Sequence, residues 1–169
     1  MTNKQLAQFL AHSVELESEA QERYLELAES MAAHHNTVVA DFFRRMAKEA
    51  DLHLAEVSKL AEGYRLPHLN AWEFDWPEAE PPETSSYEAV HYRMSLGQAI
   101  DLALANERAA EQYYRNVALS SSDEETVAIA GEFADEELSH AAELERMIAA
   151  LPDNGAHLRE EDDEPHMPE

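Results

Sequence analysis

The sequence predicts an all-α protein: a four-helix bundle built from two antiparallel helix hairpins joined by a long crossover. Glycine is scarce, with 4 copies among 169 residues, and alanine, leucine and glutamate dominate, which is typical of long helices. Four segments also place apolar residues at alternating three- and four-residue steps, the periodicity of an amphipathic helix. The connections between these segments are short, long and short, as expected for two hairpins joined by one crossover.

The first hairpin is predicted from residues 3–35 and 36–62. Thr2 and Gln5 form a capping-box pattern at its start. Gly63 follows the second segment and is a residue typical of a helix C-terminus. The two segments adjoin directly, so the two helices are expected to be antiparallel neighbours.

The second hairpin is predicted from residues 95–119 and 122–152. Ser122 and Glu125 form a second capping-box pattern at the start of its second helix. The helix is expected to end at Pro152, because proline cannot continue a helix.

The remaining segments lack a helical period. Residues 63–94 are rich in proline and tryptophan and are predicted to cross between the hairpins, with a short helical piece over 86–93. Residues 153–169 are acidic and contain proline, so we expect a disordered tail. The bundle is therefore predicted as one domain over residues 1–152.

The charge of the chain limits its partners. Lys and Arg total 12 against 36 Asp and Glu, a formal net charge of −24. Such a surface repels phosphate backbones and anionic lipids, so neither nucleic acid nor membrane is an expected partner. The absence of cysteine excludes thiolate chemistry in these residues. No signal peptide or membrane span is evident, so we expect a cytoplasmic protein.

The two halves of the chain share one pattern. The motif E-x-x-A-x-x-x-Y occurs at Glu17–Tyr24 and again at Glu107–Tyr114, displaced by 90 positions (107 − 17 = 90). The second and fourth helices match with a displacement of 87 (140 − 53 = 87). The halves therefore derive from a duplication or at least obey one pattern.

Five ionisable residues lie in the middle of the apolar stripes: Glu17, His53, Glu107, Glu137 and His140. Residues at this spacing share the helix face that a bundle buries. Buried carboxylates cost several kcal/mol each unless a cation compensates them. Glutamates and histidines that converge from four helices are the ligands of a pair of divalent metal ions. A purely structural polar layer that fixes helix register remains an alternative.

These motifs resemble the ferritin-like, rubrerythrin-type di-iron proteins over about residues 5–150. The resemblance implies terminal ligation by Glu17 and Glu107, a bridging role for Glu137, and one metal each for His53 and His140. It also implies two iron ions as cofactor, with zinc or manganese as alternatives, and a homodimer.

One position departs from the family pattern. A second bridging glutamate is expected three residues before His53, but that residue is Ala50. Glu49, four residues before His53, shares a helix face with it and is retained as a candidate ligand. Three arrangements stay open: a dinuclear site that uses Glu49, an asymmetric site with one weak metal position, or a single-metal site.

The resemblance implies a non-haem di-iron oxidoreductase that reacts with peroxide or dioxygen, as a peroxidase or an iron(II) oxidase. Tyr24 and Tyr114 are candidates to hydrogen-bond the ligating carboxylates. Because the sequence has no cysteine, the rubredoxin module of rubrerythrins proper is not expected, and a separate electron donor is needed. The alternative function is a non-catalytic bundle that holds zinc or a single metal.

Overall fold

Four helices make up most of the chain that the structure describes, residues 3–64 and 92–152. In a computed structural model these helices are α1 (Lys4–Ala33), α2 (Thr37–Ala61), α3 (Leu96–Ser120) and α4 (Glu124–Ala149). No strand occurs within those two ranges. The predicted all-α class is therefore confirmed.

The helices pair as two hairpins. Helix α1 packs along α2 and α3 packs along α4, and contacts between the hairpins are far sparser than contacts within them. This arrangement confirms the predicted bundle of two hairpins. Most of the predicted crossover 63–94, nearly all of the short helical piece 86–93 and the predicted tail 153–169 lie outside the described residues.

Side-chain contacts at the two ends of the bundle give the helix directions. The Tyr64 hydroxyl, just after α2, donates to the Glu125 carboxylate at the start of α4, at 3.4 Å. The Asn36 amide, just before α2, donates to the backbone oxygen of Met94, just before α3, at 3.0 Å. Helix α2 therefore ends at the opposite end of the bundle from the beginning of α3.

Two predicted helix caps are wrong. Helix α1 is capped by Asn3 and not by Thr2, and α4 is capped by Asp123 and not by Ser122. In each case the capping side chain accepts a hydrogen bond from a backbone amide three residues later, which satisfies a donor that has no partner within the helix. A full capping box occurs instead at Ser95, at the start of α3.

A polar layer divides the apolar core into two clusters. One cluster surrounds Tyr24, Phe43 and Ile100, and the other surrounds Leu10 and Phe133. The layer between them contains the ionisable residues of all four apolar stripes. None of the helices in the described part of the chain is sufficiently long and apolar to cross a membrane.

Candidate metal centre

Each helix contributes to the polar layer in the middle of the bundle: Glu17 from α1, His53 from α2, Glu107 from α3, and Glu137 and His140 from α4. Four of the five are at most 5% exposed, whereas the His140 side chain is 33% exposed. The helical spacing that predicted a shared face thus places all five together. His140 marks the side on which the layer comes closest to solvent.

His53 lies between two buried carboxylates. Its Nδ1 is 3.0 Å from Oε2 of Glu17 and 3.3 Å from Oε2 of Glu137. The three residues bring one ligand atom each within 4.8 Å of one another. One imidazole and two carboxylates form a suitable partial ligand set for a divalent transition metal.

His140 makes the equivalent arrangement on the other side of Glu137. Its Nδ1 is 3.3 Å from Oε1 of Glu107 and 3.6 Å from Oε1 of Glu137. These three residues form a second group with ligand-range spacing. Glu137 therefore belongs to both groups and directs one oxygen toward each histidine, which is the arrangement of a carboxylate that bridges two metal ions.

The two tyrosines of the repeated motif have different hydrogen-bond partners. The Tyr114 hydroxyl donates to Oε2 of Glu17 at 2.8 Å, and both groups are buried. The Tyr24 hydroxyl accepts from the side-chain amide of Asn106 at 3.5 Å. Tyr114 thus orients one of the candidate ligands directly.

The buried carboxylates of the layer need a compensating positive charge. Burial raises the pKa of Glu17, although hydrogen bonds from His53 and Tyr114 lower it. Burial, together with the charge of Glu137, raises the pKa of Glu107 well above its usual value. Burial acts on Glu137 in the same direction, but the close contacts with His140, His53 and Glu107 prevail and lower its pKa to about 2.

The histidines respond in the opposite sense. Burial lowers the pKa of His53, but its contacts with Glu137 and Glu17 outweigh burial and raise that pKa to about 11. Contacts with Glu107 and Glu137 raise the pKa of His140 to about 10, against the effect of burial. Without a metal, protonated imidazoles therefore compensate the carboxylates, and a bound dication would displace those protons.

The residues present fit a metal centre. Oε1 of Glu137 is buried and has no hydrogen-bond partner, which is costly for an anionic oxygen unless a cation is bound. A cavity of about 10 Å³ adjoins the layer; its wall includes the five ionisable residues together with Met46, Glu49 and Ala50. Carboxylate and imidazole ligands suit iron, manganese and zinc.

The side of the layer opposite Glu137 lacks a matching carboxylate. Ala50 forms part of the cavity wall and offers no side-chain donor atom. Glu49 also lines the cavity, but its carboxylate lies 3.6 Å from Nε of Arg45. Glu49 does not belong to any group with ligand-range spacing among the described residues, and its role as a ligand stays a prediction.

Two acidic residues that were not among the predicted site residues lie near His53. Nε2 of His53 lies 3.2 Å from Oε1 of Glu136, and Glu56 completes a third group with ligand-range spacing. Helical spacing singled out neither residue. Their only sequence signal is the repeat register, in which Glu49 and Glu136 are equivalent.

Comparison with known proteins agrees with this geometry. The family model for rubrerythrin matches residues 8–148. A crystal structure of an uncharacterized conserved protein from Magnetospirillum magnetotacticum superposes with a TM-score of 0.67 at 39% sequence identity, covering 87% of this chain and 95% of that one. Among proteins with curated functions, none matches the chain. Four helices in two hairpins, a duplicated Glu/His layer and a family match across most of the sequence lead to one conclusion: the chain belongs to the rubrerythrin family.

Proposed function

We propose that this protein is a non-haem di-iron oxidoreductase that reacts with peroxide or dioxygen. The observation that carries the proposal is the position of Glu137, whose two oxygens face Nδ1 of His53 and Nδ1 of His140. Each histidine has its own further carboxylate, Glu17 or Glu107. Two metal positions that share one bridging carboxylate are the minimum for a dinuclear centre.

The protein residues have distinct roles in this proposal. Glu17 and Glu107 would each hold one iron, Glu137 would join the two, and the apolar clusters on either side would exclude bulk water. Two bound iron(II) ions would supply the two electrons needed to reduce an O–O bond. Tyr114 fixes the orientation of Glu17, while the partly exposed His140 marks the side from which a small oxidant would approach.

Two further proposals concern partners. The described residues and the rest of the sequence contain no cysteine, so we propose that a separate protein or small molecule returns electrons to the centre. We also propose a cytoplasmic homodimer. Light scattering coupled to size-exclusion chromatography would test the dimer, since a monomeric mass at micromolar concentration would contradict it.

The test of the function is anaerobic reconstitution with iron(II), followed by metal analysis and an optical spectrum after addition of peroxide. We expect two irons per chain and a new absorption from an oxo-bridged pair. Glu17→Gln should lose the interior iron bound with His53 and retain the interior iron at Glu107 and His140. Glu137→Gln should weaken both positions, because both groups include this residue. Equal metal loss in the two variants would contradict the bridging assignment.

A second candidate function is a non-catalytic protein that holds zinc or a single metal ion. The observation in its favour is Ala50, which leaves the dinuclear centre one carboxylate short. Glu49→Gln separates the two cases. If Glu49 leaves Arg45 to bind iron, the variant should lose peroxide reactivity; if it does not, metal content should be unchanged. Binding of one metal only, with no response to peroxide in the unmodified protein, would favour the second function.

A further inference from the structure

The outward-facing nitrogen of His53 has no hydrogen-bond partner. Nδ1 of this imidazole faces the interior layer, whereas Nε2 faces the carboxylates of Glu136 and Glu56 on the outer side. His53 is only 5% exposed, and its Nε2 is buried and makes no hydrogen bond. A buried imidazole nitrogen that makes no hydrogen bond, within 4.8 Å of two carboxylate oxygens, provides three donor atoms that one divalent cation would satisfy together.

At the place that the repeat makes equivalent, an arginine lies between the two carboxylates. With the displacement of 87, Glu49 corresponds to Glu136 and Glu143 corresponds to Glu56. Arg45 lies between Glu49 and Glu143. Its Nε is 3.6 Å from the Glu49 carboxylate, and one of its terminal nitrogens is 3.1 Å from the Glu143 carboxylate. At this place between α2 and α4 a guanidinium thus neutralises the pair of carboxylates.

The place between Glu56 and Glu136 has no arginine at the corresponding position. The residue that corresponds to Arg45 is Glu132, so a third carboxylate occupies the register position of the guanidinium. Within residues 3–64 and 92–152, no lysine or arginine forms an ion pair with Glu56 or Glu136.

We propose that Glu56, Glu136 and Nε2 of His53 form an outer binding position for a divalent transition-metal ion, from which ions pass to the interior layer. Glu56 is exposed and Glu136 is partly exposed, so the position is open to solvent. Its donors, two carboxylate oxygens and one imidazole nitrogen, suit iron(II), manganese(II), cobalt(II) and zinc(II).

The chemistry of imidazole makes the outer position a loading position. A neutral imidazole has one nitrogen with a free lone pair, so His53 binds an ion through Nε2 or through Nδ1 but not through both. An ion that enters the interior layer therefore requires His53 to release the outer ion. This exclusion rests on the proposed interior metal site, whereas the outer position itself does not.

The test is anaerobic stopped-flow uptake of limiting cobalt(II), followed by its visible absorption. Glu56→Gln should slow filling of the interior by about tenfold, since a ligand of the capture position is lost. Glu143→Gln is the matched control, because it removes the equivalent exposed carboxylate from the other half; we expect a rate within about twofold of the unmodified protein. Final cobalt content should be the same in all three proteins.

A second variant blocks the position without removing a ligand. Glu132→Arg places a guanidinium where Arg45 lies in the other half, and it should slow filling as much as Glu56→Gln. Equilibrium dialysis of Glu17→Gln gives a readout that does not depend on filling of the complete interior centre. Adding Glu56→Gln to that variant should remove about one cobalt per chain, because the outer ion is then lost.

The outcomes separate the two proposals. Equal uptake rates in all variants, with no cobalt lost from the Glu17→Gln background, would overturn the outer position. A rate for Glu143→Gln as slow as that for Glu56→Gln would also overturn it, because general surface charge would then explain the effect. Cobalt that depends on Glu56 in a protein whose interior never holds two ions would leave the outer position intact and refute the di-iron function.

Discussion

Replacement of Tyr114 by phenylalanine isolates one buried hydrogen bond of the metal centre. The Tyr114 hydroxyl donates to Oε2 of Glu17 at 2.8 Å, and neither side chain is more than 2% exposed. The substitution removes one oxygen atom and keeps the ring, which packs edge-on against Phe9 and Phe133. Any loss of stability therefore reports the hydrogen bond and not a change in packing.

The expected magnitude follows from the charge of the acceptor. A buried hydrogen bond to a charged group contributes about 1.5–3 kcal/mol to the free energy of unfolding. Glu17 keeps its contact with Nδ1 of His53 at 3.0 Å, which places the expected loss toward the lower end of that range. For a chain of this length, each kcal/mol lowers Tm by about 2–4 °C. We expect Tm of the metal-free protein to fall by about 3–8 °C.

Thermal denaturation in EDTA, followed by circular dichroism, measures this loss. Tyr92→Phe is the matched control, because Tyr92 is 49% exposed and its ring stacks on His34; its Tm should change by less than about 1–2 °C. The loss for Tyr114→Phe should be smaller at pH 4 than at pH 8. At low pH Glu17 is neutral, and a phenol donates more strongly to a carboxylate. A Tm change no larger than that of Tyr92→Phe at pH 8 would refute the reasoning.

Three further perturbations test the electrostatics and the architecture. The folded-state pKa of His53 is raised from 6.5 to about 11 and that of His140 to about 10. The protonated histidines therefore stabilise the fold fully below pH 6.5, and this stabilisation is lost as the pH rises toward 11. Thermal melting in EDTA should show a Tm that falls between pH 7 and 10, and a constant Tm would contradict this. Ala50→Glu should destabilise the metal-free protein by about 3 kcal/mol, because it buries an uncompensated charge. The variant should bind zinc more tightly, so zinc should raise its free energy of unfolding in urea by more than it raises that of the unmodified protein. Asn36→Ala should cost about 1–2 kcal/mol in urea unfolding, because this side chain caps α2 and donates to the Met94 backbone oxygen; a loss below 0.5 kcal/mol would show that the contact contributes little.

Periodicity was sufficient to predict the fold, because the burial of a helix face is a property of one helix at a time. The stripe around Glu17 in α1 and the stripe around Glu107 in α3 are buried as their spacing predicts. The residues that cap the helices were harder to predict, because neighbouring polar residues can each serve as the N-cap. Asn3 caps α1, and its amide also donates to Asp123 at 2.9 Å, a contact between helices that no local pattern contains.

The site was predictable only as far as helical spacing reaches. The spacing predicts that His53 and Glu137 face the same interior, but it gives no information about which nitrogen of the imidazole faces inward. The contact between His53 and Glu136 therefore had no local signal. The orientation of Glu49 depends on Arg45, which also pairs with Glu143 of α4. Such competition between partners is decided by the packing of two helices and not by the sequence of one.

The division of the chain into two hairpins has a consequence for how the two hairpins are held together. Contacts between the hairpins are sparse compared with those inside each hairpin, yet Glu17 and His53 come from one hairpin and Glu137 comes from the other. Any ion held by these three residues is therefore a reversible cross-link between two hairpins that otherwise meet through the shared apolar clusters. Chelation should then loosen the contact between the hairpins first, and amide hydrogen exchange should quicken first at their interface.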